Sequence, residues 1–75
     1  MLPVPGPTRA ATPSLLYWRM QRGWIERQLA ERSGVDRATV QRLEAGGLAR
    51  MDTVSKLAAA LGIEPAGLLR QPPAS

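Results

Sequence analysis

The sequence predicts an all-α fold, a compact bundle of five short helices behind an irregular, Pro-rich N-terminal arm. Three observations predict it. No strand-like alternation of apolar and polar residues runs along the chain. Gly23, Gly34, Gly46-Gly47 and Gly62 fall about 11 to 16 residues apart, the spacing of short helices closed by C-terminal glycines. Val54, Leu57, Ala58 and Leu61 recur at i, i+3, i+4 and i+7, which places them on one apolar helix face.

Residues 1–12 hold Pro3, Pro5, Gly6 and Pro7 without apolar periodicity and read as a flexible, polyproline-like arm. Residues 13–70 form the domain, and residues 71–75, with Pro72 and Pro73, a second loose tail. The first helix is expected from Thr12-Pro13, a good cap followed by a residue tolerated at the first helical position, to about Arg22. Leu15 and Trp18 mark its inner side. The second runs from about Glu26 to Ser33, with Leu29 and Ala30 inward. Asp36 caps the third, about Arg37 to Ala45, whose inner residues are Val40 and Leu43. The fourth covers about Met51 to Leu61, with Asp52 favourably placed in its first turn. A brief fifth opens at Glu64-Pro65 and carries Leu68-Leu69.

At 75 residues the chain holds one small domain. It contains neither Cys nor His, which excludes disulfides, Cys/His zinc sites, thiol catalysis and histidine general bases. The six acids, Glu26, Glu31, Asp36, Glu44, Asp52 and Glu64, are scattered and suggest no hard-metal site. No Gly-rich phosphate loop follows a strand. No enzyme activity, metal or cofactor is expected. No apolar run approaches the ~20 residues of a membrane span, and no basic-then-apolar leader opens the chain. Ten basic residues against six acids give a net charge of +4. Nine of the ten are Arg, the residue suited to bidentate recognition of phosphate, carboxylate or guanine.

The informative stretch is GWIERQLAERSGVDRATVQRLEAG, Gly23 to Gly46. Two short helices are joined by Ser33-Gly34-Val35-Asp36. A steep helix crossing needs a small residue at the contact, here Ala30. The tight turn needs a positive φ, here at Gly34. Val40 and Leu43 lock the second helix onto the first. This is helix-turn-helix patterning, in which the second helix enters the DNA major groove. On that helix Arg37, Ala38, Gln41, Arg42 and Ala45 share an outward face. Arg pairs with guanine and Gln with adenine through two hydrogen bonds each. On an arbitrary helix such residues are an ordinary solvated face; inside this motif they point to base contacts by Arg37, Ala38, Gln41 and Arg42. Thr39 is open between a helix-stabilising and a phosphate-facing hydroxyl. Trp18 reads as core, Trp24 as core or partly exposed corner, and Tyr17 as surface.

The chain resembles the Cro/phage-repressor (XRE) type of helix-turn-helix domain from about Leu15 to Leu69. Arg19 and Gly23, QLAERSGV, TVQRLEAG, MDTVSKLAAALGI and the final Leu68-Leu69 carry the likeness, in order and at near-family spacing. It implies a five-helix bundle, a structural Arg19–Glu44 ion pair, and DNA backbone contacts from Arg50, with Thr39 and Arg27 as further candidates. Some positions depart from the pattern. Ile25 stands where a Ser or Thr cap is usual, and Trp24 replaces an aliphatic residue. Glu26 stands where a phosphate-contacting Gln is usual; its carboxylate repels phosphate unless Arg22 or Arg27 neutralises it. The loop Gly46 to Arg50 lacks the frequent Pro.

The expected function is that of a sequence-specific double-stranded DNA-binding transcriptional regulator, a bacterial or phage repressor or controller working in the cytoplasm. RNA polymerase or another protein is a possible second partner. A module this small is expected to act as a homodimer on a pseudo-palindromic operator, with dimer contacts from the fifth helix, Leu68, Leu69 and the tails. Arg9 on the arm is a further candidate for reaching DNA. The alternatives are a protein-interaction module of the same fold that has lost DNA binding, which Glu26 favours, and an antitoxin-type regulator.

Overall fold

The computed structural model describes residues 8–73. The order of elements is β1 (Arg9–Ala11), α1 (Leu15–Gln21), α2 (Glu26–Ser33), α3 (Arg37–Glu44), β2 (Leu48–Arg50), α4 (Met51–Leu61) and α5 (Pro65–Leu69). Five helices enclose the core. Leu15, Leu29, Val35, Val40, Leu43, Val54, Leu57, Ala58, Leu61 and Leu68 are buried, and Trp18 and Trp24 lie half-buried against them. The four apolar positions of α4 all face inward, so the 3.6-residue period there reports its packing correctly.

Two expectations about the N-terminal segment are corrected. The fold is not purely helical: β1 and β2 form a two-stranded antiparallel sheet with Arg9 opposite Arg50, Ala10 opposite Ala49 and Ala11 opposite Leu48. Residues 9–11, read as irregular arm, are therefore a strand. Its inward residue is half-buried Ala10, and Ala49 is buried on β2. Pro3, Pro5 and Pro7 lie outside the described residues. The first helix also begins later than expected. Thr12 does not cap it; its carbonyl accepts from Leu15 N at 3.0 Å, and Ser14 precedes the first helical residue.

The structure also explains the turns. Gly34 ends α2 with φ 75°, and its N–H donates to Ala30 O at 2.9 Å. Asp36 Oδ2 accepts from Ala38 N at 3.0 Å and satisfies an otherwise orphaned donor at the start of α3. Ile25 has no side-chain acceptor, and the start of α2 is instead supported by Gln28 Oε1, which accepts from Ile25 N at 2.9 Å.

Helix α1 contributes one fully buried residue, Leu15. Polar side chains attach it elsewhere. Ser14 Oγ donates to Gly67 O at 2.6 Å, reaching α5. Arg22 donates from Nε and Nη2 to Leu61 O, the last residue of α4, with the Nε bond at 3.0 Å. Its guanidinium also lies 5.8 Å from the Trp18 ring centroid. Leu68 is fully buried in the core of its own chain, which corrects its expected place in a dimer interface. Among the described residues the exposed large apolar side chains are Leu16, Met20, Ile25 and Leu48.

Candidate nucleic-acid interface

Helix α3 divides cleanly. Val40 and Leu43 are buried, while Arg37, Ala38, Gln41, Arg42 and Ala45 are exposed and Thr39 is half-exposed at the margin. The burial of two branched side chains at i and i+3 fixes the helix rotation, and that rotation turns the polar face outward.

The polar residues on this face differ in their partners. The Arg37 side chain has no hydrogen bond or ion pair among the described residues; the ion pairs there are Arg19–Glu44 and Arg50–Asp52. Gln41 Nε2 donates to Glu26 Oε1 at 3.4 Å, linking α3 to the first residue of α2. Arg42 Nη1 donates to Leu48 O at 2.9 Å, so this arginine folds toward β2 in the free protein. No spacing rule signals that contact. The bend depends on Gly47. A Cβ there would lie 2.9 Å from both Arg42 Cγ and Arg42 O. Gly47→Ala should therefore cost about 1–3 kcal/mol by overpacking. A thermal melt checks this, and an unchanged midpoint would show that the close approach is not constrained.

Glu26 is neutralised by neither arginine expected to do so. Arg22 is engaged with Leu61 O, and Arg27 is exposed on α2 with no ion pair. The side-chain partner of Glu26 is the Gln41 amide described above. Arg50 is exposed at the start of α4, with Nε 3.8 Å from Asp52 Oδ1, too long for a hydrogen bond.

Arg19 holds the end of α3 in place. Nε donates to Glu44 Oε2 at 2.7 Å and Nη2 to Glu44 Oε1 at 2.9 Å, a bidentate fork. Nη1 donates to Trp24 O at 2.8 Å, so the same side chain also fixes the α1–α2 link. The hydrogen bonds to Glu44 raise the Arg19 pKa above its ordinary value, against the opposing effect of burial. Trp24 is covered from outside by Arg32, whose guanidinium carbon lies 4.6 Å from the ring centroid, within cation–π range.

Among the described residues there is no pocket, no group of three or more potential metal ligands, and no helix long and apolar enough to cross a membrane. The site is an exposed helix face that carries Arg37 and Arg42.

Comparison with known proteins agrees with this architecture. A family model described as helix-turn-helix matches residues 15–68. The chain belongs to this helix-turn-helix family, of the XRE type. No curated protein matches it. Among solved structures it is similar to a hypothetical transcription factor, NHTF, from Neisseria, at 30% identity and a TM-score of 0.68, covering 96% of this chain and 90% of that one.

Proposed function

We propose that the chain is a DNA-binding transcriptional regulator that reads double-stranded DNA in the major groove with α3. The observation that carries the reading is the outward face of α3, where Arg37, Ala38, Gln41 and Arg42 stand clear of the core on the second helix of a helix-turn-helix. Membership of the helix-turn-helix family and likeness to a transcription factor support it. Arg37 and Arg42 suit guanine, Gln41 suits adenine, and Ala38 leaves room for a thymine methyl. Arg27, Thr39 and Arg50 serve the sugar–phosphate backbone, which positions the protein without selecting sequence.

The regulator acts as a homodimer on a pseudo-palindromic operator, with half-sites about 34–36 Å apart. It works in the cytoplasm of a bacterium or an infected cell, as a repressor or controller that occludes a promoter. Both Arg42 and Gln41 must leave or share their protein partners, Leu48 O and Glu26, to reach bases. Arg37 has no such partner and is the first base reader to test.

In vitro selection of bound duplexes, followed by a salt titration on the winner, tests the reading. Selection is expected to return a two-fold site, and affinity should fall steeply with salt. Arg37→Ala should cost about 1–3 kcal/mol on the selected site and relax preference at one base pair. A uniform loss on every duplex would move Arg37 to the backbone contacts. No salt-sensitive binding to any duplex would reject the reading and favour the protein-interaction alternative. Glu26 is the observation behind that alternative: it places a carboxylate at the first residue of α2, where a phosphate would approach.

A further inference from the structure

The β1–β2 ribbon places two like charges side by side. Arg9 and Arg50 are direct partners in the antiparallel ladder, and both are exposed. Direct partners share one face of the sheet, with Cβ atoms about 4.5–5.5 Å apart, and like charges in this relation oppose pairing. The structure offers little compensation. The Arg9 side chain has no hydrogen bond or ion pair among the described residues, and the Arg50 side chain faces only the exposed Asp52 at 3.8 Å. The other outward residues of the ribbon, Ala11 and Leu48, are apolar. An arrangement unfavourable in the free chain becomes favourable when the phosphates of a polyanion lie against the two guanidinium groups. Arginine forks match the oxygens of a phosphodiester.

The ribbon is also fixed to the proposed reading helix. The Arg42 bond to Leu48 O ties α3 to the strand that carries Arg50, and only Ala49 separates Leu48 from Arg50. Strand pairing then brings Arg9, from the far end of the domain sequence, to the same place.

We infer that Arg9 and Arg50 form a two-arginine clamp on neighbouring backbone phosphates of the duplex, one phosphate to each arginine, beside the segment read by α3. The clamp rests on the function proposed above and adds to it a contact from the N-terminal strand. Arg9 has no part in base selection; it anchors the ribbon to the phosphodiester chain.

The test uses the full chain with Arg9→Gln and Arg9→Lys. Binding to the selected operator and to an unrelated duplex is measured between 50 and 200 mM salt. Each neutralised phosphate contributes about 0.9 to the slope of log affinity against log salt. Arg9→Gln should make the slope shallower by about that amount on both duplexes. The advantage of the unmodified chain should then shrink by about 3.5-fold over this range. Arg9→Lys keeps the charge and should keep the slope. Without DNA, Arg9→Gln should melt no lower than the unmodified chain at low salt, because a repulsion has been removed. An unchanged slope in Arg9→Gln, a loss confined to one base position, or a lowered melting temperature accompanying the lost affinity would each overturn the clamp. If the unmodified chain bound no duplex, the proposed function would fall and the clamp with it. Binding by the unmodified chain with an unchanged Arg9→Gln slope would overturn the clamp alone.

Discussion

Glu44→Ala is expected to lower the melting temperature by roughly 10–20 °C. Removing one partner of a buried ion pair typically costs about 3–5 kcal/mol, because the other charge is left unpaired away from water. The Arg19 and Glu44 side chains retain 15% and 9% of their exposure, so we expect about 2–3 kcal/mol. For a domain of 60–100 residues, each kcal/mol shifts the midpoint by about 4–8 °C. Arg19 would keep its bond to Trp24 O but lose both bonds to Glu44. The end of α3 would then be held by buried Leu43 and by the Arg42 bond to Leu48 O, and DNA affinity should fall along with stability. Replacing both partners together, Arg19→Met with Glu44→Leu, should restore most of the loss, since apolar pairs of similar volume often equal or exceed a buried ion pair. Melts of the two variants decide it. An unchanged midpoint for Glu44→Ala would show that the pair contributes nothing.

Leu57→Ala should cost about 2–5 kcal/mol, the range for truncating a buried leucine and leaving a cavity. Leu57 is wholly buried on α4, in the core that also holds Leu29, Leu61 and Leu68. A chain of 75 residues has a total stability of roughly 4–11 kcal/mol at the usual value per residue. The substitution therefore removes a large share of it. Urea denaturation should show a lower midpoint with an unchanged slope. Leu57→Met, which nearly conserves volume, should cost less than about 1.5 kcal/mol. Equal losses for the two variants would mean that volume at this position is not what matters.

The helical part of this structure was legible because its signals are local. The bounds expected for α2 and α4 match the structure, since Gly34 and Gly62 end those helices and the apolar positions of α4 set its face. The two strands were not legible. Arg-Ala-Ala and Leu-Ala-Arg are short and poor in β-branched and aromatic residues, so nothing in them favours extended backbone. They exist because each supplies the other's hydrogen-bonding edge across most of the domain. The late start of α1 has the same origin. Thr12 is a good cap by type, but Ser14 is the residue whose hydroxyl finds partners, on α5.

The candidate interface was legible to a similar depth. Periodicity separated the outward residues of α3 from Val40 and Leu43. It did not show that Arg42 turns toward Leu48 O or that Gln41 meets Glu26, because both contacts depend on side chains brought together by tertiary packing. A like-charge pair between Arg9 and Arg50 becomes visible only when strand register is known. The misplacement of Leu68 in a dimer interface arose differently. An apolar residue near the end of a small domain can face inward or outward, and here α5 folds back to close the core.

The attachment of α1 has a consequence for cooperativity. Ser14 reaches α5, Arg19 reaches α3 and the α1–α2 link, and Arg22 reaches the end of α4. A helix of seven residues, with the residue that precedes it and the one that follows it, is thereby bonded to α3, α4, α5 and the link into α2. These polar bonds have narrow distance and angle requirements, so they tolerate sliding less well than apolar contact does. If α1 shifts, the restraints on its neighbours are lost together. The three bonds therefore couple α1 to α3, α4 and α5 at once, and melting followed at separate helices should show one shared midpoint.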